Sequence, residues 1–209
     1  MQSLVLVGAG GHAKVVLSLA RAAGYDVIGV CDPALAASGA TEWRGLPVLG
    51  SDEALAWLDR QTVGIAIGLG QMPHSTTRTV LFTRLEANGF RIPRLVHPSA
   101  IVDGSTVIAE GAQVMAGVVL QADCRIGRDS TINTGARVDH DCEIGAHVHV
   151  APGATLCGGV AVGDGAFIGS GATVIQQTTI GANAIVGAGV TLRHPLNAGR
   201  TYVEHEAPH

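Results

Sequence analysis

Residues 133 to 142 read Asn133-Thr134-Gly135-Ala136-Arg137-Val138-Asp139-His140-Asp141-Cys142, a histidine with an aspartate on either side. An imidazole has an unperturbed pKa of about 6.5, and a neighbouring carboxylate favours its charged form. Such a group can take up a proton near neutral pH. The plainer alternative is a solvated turn histidine, one of nine in the chain. A second constellation stands at the start, where Gly8-Ala9-Gly10-Gly11-His12-Ala13 follows the apolar Leu4 to Val7 and precedes a helical stretch from Lys14 to Ala23. The pattern GxGxxA between strand and helix aims backbone N–H groups and a helix N-terminus at a phosphate. His12 at that helix start is open to a second reading, as a cap or an exposed loop residue. Val27 to Val30 predicts the next strand, and it ends at Cys31-Asp32. An acidic residue there is placed to bond a ribose or a base. The four cysteines, Cys31, Cys124, Cys142 and Cys157, show no CxxC or other metal-like spacing. They read as reduced thiols of a cytoplasmic protein, and no metal site is expected.

The elements that must position these groups follow from period. An aliphatic side chain recurs at every sixth position from Val96 to Leu192, with no residue inserted. Four residues after the aliphatic comes a small or β-branched side chain, as at Ala112, Cys124, Ala136, Cys142, Ala154 and Ala172. Six fits neither the 3.6 of a helix nor the 2 of a simple strand. It suits a hexapeptide β-helix in which each repeat forms one side of a triangular coil and three repeats close it. The aliphatic then points inward and the small residue fits the corner. Cys124 and Cys142 hold that corner position one coil apart, which favours packing over chemistry. The residues one coil before and after His140 are Ala122 and Gly158. Both are small, so the imidazole is expected in an open notch. Neighbouring residues of a strand face opposite ways, which leaves open whether Asp139 or Asp141 orients the ring.

The first 94 residues alternate strand and helix. Beyond the glycine-rich turn come Pro47 to Leu49, a helix near Asp52 to Asp59, a strand Val63 to Ile67 and a helix near Thr76 to Asn88. The sequence therefore predicts an α/β domain over 1–94, about half of a doubly wound dinucleotide fold, then an all-β parallel β-helix over 95–194 and a tail over 195–209. A nicotinamide oxidoreductase needs two mononucleotide halves, and one nucleotide is the more natural cargo here. Composition agrees: 47% hydrophobic and 14% charged residues fold, and 29 glycines with 3% aromatics call for a turn-rich repeat. The net charge of −4 gives no broad basic field for nucleic acid or anionic lipid. No apolar run approaches the roughly 18 residues of a membrane span.

Taken together, Gly8 to Val16, Ile65-Ala66-Ile67-Gly68 and Asn133 to Cys142 resemble the sialic-acid O-acetyltransferase-like family of sugar acyltransferases. It includes N-acetyltransferases for nucleotide-linked 4-amino sugars in bacterial glycan assembly. The resemblance covers nearly the whole chain and implies a left-handed coil. It implies direct acetyl transfer from acetyl-CoA, with His140 as general base and Asp141 raising its basicity. A sugar amine must lose a proton as it attacks a thioester, which suits imidazole. The resemblance gives Gly10, Gly11, His12, Asp32, Gly68 and Asn133 to the nucleotide-sugar. It gives His149, Ser170 and Ala188 to acetyl-CoA, with His147 a competitor for the role of His149. Ser170 and Ala188 stand one coil apart and would form one wall of a groove. The chain departs from the family pattern at its end, where Tyr202 to His209 replaces a glycine, proline and alanine turn.

The resemblance also implies a homotrimer with sites between subunits, and Val118, Val148, Val160 and Val190 are expected as exposed apolar residues favouring association. O-acetylation of a sialic acid or another sugar hydroxyl stays open as an alternative. So does a nucleotide-sugar-binding scaffold without catalysis, although that would predict a missing base.

Overall fold

The computed structural model describes residues 2–203. The chain divides into two compact units, Met1–Leu95 and Val96–His209. In the first, strands β1 (Ser3–Val7), β2 (Asp26–Cys31), β3 (Glu42–Trp43), β4 (Leu46–Gly50) and β5 (Val63–Ile67) form one sheet in the order β3-β4-β2-β1-β5. All pairings are parallel except β3 with β4. Strands β1 and β5 are covered on both faces, so Leu4 to Val7 and Val63 to Ile67 read as unbroken apolar runs instead of alternating ones.

Helix α1 (Gly11–Ala22) buries Ala13, Val16, Leu17 and Ala20, one stripe at helical spacing. Its N-terminal end meets the sheet so closely that a Cβ at Gly68 would lie 2.8 Å from the Ala13 Cβ and from the Gly8 carbonyl oxygen. Two short elements have no signal in the hydrophobic pattern. These are β3 and α2 (Pro33–Ala37), a helix with no buried residue that is started by the Asp32 carboxylate and by proline in its first turn. The segment expected as a helix from Asp52 to Asp59 is a 3₁₀ turn, Asp52–Trp57, because only Leu55 of it is buried and Leu58 is extended. Helix α3 (Thr77–Ala87) completes the unit.

The second unit is a three-sided coil. Two-residue strands pair in parallel with those one coil on, as Val119 with Arg137 and then Arg137 with Thr155. The same step joins Arg125 to Glu143 and Thr131 to His149 on the other two sides. The sixth-position aliphatics point inward and are buried almost without exception, Leu120, Ile132, Val138, Val150 and Leu156 among them. Every sixth residue from Gly111 to Gly189 has positive φ, the slot that turns each corner. Glycine fills it most often, and Asp123, Asp129, Asp141, His147, Gln177 and Asn183 fill the rest.

Val118, Val148, Val160 and Val190 are not exposed: they lie in the small corner position and are buried inside the coil. They sit four residues after an aliphatic, the same place as Ala136 and Cys142, so they fill the prism and offer no apolar surface for association. Stacking also continues past Leu192 on a shorter coil, with Ile180 bridging Leu196 and Ile185–Val186 pairing Thr201–Tyr202. Of the expected tail, residues 204–209 lie outside the described residues.

Candidate active site

His140 stands on the corner between the strands Arg137–Val138 and Glu143–Ile144, in a turn and not in a strand. This is why neighbouring side chains converge. Asp141 adopts φ +58°, the left-handed conformation that the third position of such a turn requires. Its carboxylate Oδ2 comes within 2.7 Å of His140 Nδ1. Asp139 does a different job, its Oδ1 accepting the backbone N–H of His140 at 2.9 Å. Asp141 therefore orients the ring and Asp139 holds the turn. The hydrogen bond to Asp141, and next the charge of Asp139, raise the His140 pKa above its ordinary value. In the neutral ring the proton sits on Nδ1 beside the carboxylate, which leaves the Nε2 lone pair available. The side chain is 61% exposed, and its Cε1–Nε2 edge passes beside Gly158.

Two buried thiols brace this corner. Cys124 Sγ donates to the Asp139 carbonyl at 3.0 Å, and Cys142 Sγ donates to the Cys157 carbonyl at 3.3 Å. Beside it a groove of about 220 Å³ runs along Gln121, Arg137, Asp139, Thr155 and Cys157.

The other residues expected in this unit lie elsewhere on it. Ser170 and Ala188 are exposed and stacked on the corner that follows the strand Phe167–Ile168, linked by the Gly189 N–H donating to the Ser170 carbonyl at 2.9 Å. Asn133 lies half-buried on that same corner, its Oδ1 accepting the Thr134 N–H at 2.8 Å. One full side of the prism, on the order of 15–20 Å at about 3.3 Å per residue, separates this corner from His140. His149 lies on the adjoining face, buried and stacked on Phe167 with ring centroids 5.0 Å apart. His147 instead occupies the third corner, its Nδ1 2.9 Å from Oδ2 of the fully buried Asp129. Sequence reasoning missed both the Phe167 stack and the Asp129 pair. Each partner is 18 residues from its histidine, so the coil length carries the signal.

In the first unit a cleft of about 370 Å³ opens at the carboxyl ends of the strands, lined by Gly8, Asp32, Asp52, Leu69, Thr77 and Arg84 among others. This is where ligands bind in open α/β sheets, at the point where strand order reverses. Gly10 caps α1 without a side chain, and neither Gly10 nor Gly11 would bring a Cβ within 4 Å of anything. The backbone there is open to close approach. Asp32 is already engaged: Oδ2 accepts the Ala9 N–H and Oδ1 accepts those of Ala34 and Leu35, each at 2.9 Å. It fixes the glycine turn and starts α2 while keeping spare acceptor capacity toward the cleft. Gly68 serves strand-to-helix packing, and His12 is half-exposed on the first turn of α1. Asp52 and Arg84 form an ion pair on the cleft wall that sequence reasoning did not single out. Burial, and then the Asp52 charge, push the nearby Cys31 thiol up to about 11.

Known proteins share both units. Residues 3–85 match the PglD N-terminal domain. The Bacterial transferase hexapeptide (six repeats) model matches at 105–140, 123–158, 141–176 and 159–194. A histidine-to-alanine mutant of the GDP-perosamine N-acetyl transferase from Caulobacter crescentus, solved with CoA and GDP-perosamine, superposes with a TM-score of 0.87 at 40% identity, over 96% of this chain and 93% of that one. The acetyltransferase domain of PglB from Neisseria gonorrhoeae FA1090, solved with acetyl coenzyme A, gives 0.86 at 35% identity over 96% and 95%. The UDP-N-acetylbacillosamine N-acetyltransferase of Bacillus subtilis (strain 168) is 40% identical over 118 residues, 56% of this chain. That match spans about half the length of the curated relative, 52%.

Proposed function

This chain belongs to the family of nucleotide-sugar N-acetyltransferases of glycan assembly that join a PglD-type amino-terminal domain to hexapeptide repeats, and from that premise we propose that it transfers the acetyl group of acetyl-CoA directly to the amine of a nucleotide-linked amino sugar, a 4-amino sugar by the family resemblance. The observation that carries the reading is the His140–Asp141 pair, with Nδ1 held at 2.7 Å and the histidine side chain 61% exposed. As the amine attacks the thioester carbonyl, a C–N bond forms and the C–S bond breaks. His140 Nε2 takes the proton that the amine must lose, and Asp141 stabilises the resulting imidazolium. The cleft at Gly8, Asp32 and Leu69 holds the nucleotide, with the open backbone at Gly10 and Gly11 against its phosphates. The exposed, stacked Ser170 and Ala188, with the buried His149 on the adjoining face, form the acetyl-CoA wall.

The working unit in this proposal is a homotrimer in the cytoplasm. What supports the trimer is the distribution of residues: the base and the acetyl-CoA wall occupy different corners of one prism, and a three-fold arrangement sets the base corner of one protomer against the wall corner of the next. Enclosure between protomers also shields the thioester from water. The acetyl-CoA and nucleotide-sugar substrates support the cytoplasm, and among the described residues no helix is long and apolar enough to cross a membrane.

The test is thiol release from acetyl-CoA against a panel of UDP-, GDP- and dTDP-linked 4-amino sugars. Turnover with at least one of them supports the proposal. Turnover with free sialic acid and none of the panel overturns it in favour of O-acetylation.

A further inference from the structure

We infer that Gly158 is a positioning residue for this reaction: having no side chain, it cedes to the His140 imidazole the space in which the ring must lie. The inference rests on the reading of His140 as the base. Gly158 stands one coil after His140 and is buried, although His140 itself is exposed. A Cβ built on Gly158 would sit 2.6 Å from both Cε1 and Nε2 of the imidazole and 3.2 Å from Cδ2. Real Cβ atoms essentially never show contacts under 3.0 Å, so an alanine there must displace either the ring or the backbone.

The backbone is the worse candidate. The Gly159 N–H donates to the His140 carbonyl at 2.8 Å, and the Gly158 carbonyl accepts from the Gln177 N–H at 2.9 Å, so the ladder pins this stretch from both neighbouring coils. The ring is the softer element, and its Nδ1, bonded to the Cε1 that would be displaced, is the atom held by Asp141. Pushing it off Gly158 breaks that hydrogen bond or forces a non-rotameric side chain. Either way Nε2 leaves the position in which it meets the amine. Elsewhere in the coil the cause of glycine differs. At Gly127, Gly163 and Gly181 the added Cβ would strike backbone of the next coil, and the adjoining Gly159 takes φ +69°. Gly158 has no left-handed φ to satisfy. The three atoms nearest to its added Cβ all belong to the ring.

The experiment pairs Gly158→Ala with the same substitution in a His140→Ala background. Gly158→Ala should keep its melting temperature and both Michaelis constants, lose at least ten-fold in kcat, and show a lowered His140 pKa by NMR because the Asp141 bond is broken. In the double variant the alanine should be harmless, with turnover and melting temperature matching His140→Ala. Wild-type kcat and His140 titration in Gly158→Ala, with His140→Ala inactive, overturns the inference and leaves the base assignment standing. Full turnover in His140→Ala overturns the base assignment itself. If Gly158→Ala fails to fold, the double variant decides: a folded double variant supports the ring as the obstacle, and an unfolded one contradicts it.

Discussion

The Nδ1 atom of His140 lies 2.7 Å from Oδ2 of Asp141, its own neighbour in sequence, because the left-handed backbone of Asp141 turns the carboxylate back toward the ring. A general base works in its neutral form, so the acidic limb of kcat/KM should report the His140 pKa, which Asp141 and then Asp139 raise above its ordinary value. Activity rises as pH climbs through that raised pKa. Asp141→Asn should move the limb to lower pH and reduce the plateau. Asp139→Asn should move it less. A larger displacement from Asp139→Asn would reverse the roles given to the two aspartates.

Asp32 combines structural and binding work. Asp32→Ala removes the N-cap of α2 and the bond to the Ala9 N–H, and should cost about 1 kcal/mol of stability together with a higher Michaelis constant for the sugar nucleotide. The constant for acetyl-CoA should stay unchanged. Asp32→Asn, which can still cap, should recover most of the stability. Denaturant unfolding and two-substrate kinetics check both parts, and equal effects on the two substrates would contradict the division of labour between the units.

The corner valines carry a prediction opposite to that of a docking surface. Val160 is fully buried inside the coil, so Val160→Asp places an uncompensated charge there and should cost several kcal/mol, unfolding the repeats. A folded but dissociated Val160→Asp protein by sedimentation and circular dichroism would mean that the residue faces a partner after all.

The first unit and the coil were legible to different depths. The six-residue period alone announced the interior set, and Cys124 and Cys142 proved to be corner packing as their register implied. Val118, Val148, Val160 and Val190 depart from the expected exposure, because a valine four residues after an aliphatic fills the small corner slot inside the coil. Helix α2 and strand β3 escaped because neither has a periodic apolar face, α2 being held by its caps, the Asp32 carboxylate at one end and the Ser38 hydroxyl on the Leu35 carbonyl at the other. At the site, sequence supplied His140 and its flanking aspartates but not the choice between them. That choice depends on the sign of one backbone angle, and an aspartate tolerates the left-handed region without announcing it.

If the site is shared across a three-fold axis, two broken proteins should repair each other. His140→Ala lacks the base, and Ser170→Trp obstructs the stacked wall on the other corner. Mixed and re-assembled, they should recover a substantial part of wild-type turnover, since some interfaces then unite an intact base with an intact wall. No recovery in hetero-oligomers verified by mass would place base and wall in one protomer. A monomer by sedimentation with full activity would contradict the trimer directly.

The most direct measurement is the turnover number of His140→Ala in acetyl transfer to a nucleotide-linked amino sugar, taken on protein whose melting curve matches the wild type. His140 is exposed and lies outside the core, so its truncation leaves the fold intact. The expected result is a loss of about 10²-fold or more, the scale of a general base, with both Michaelis constants little changed. Turnover near that of the wild type would contradict it.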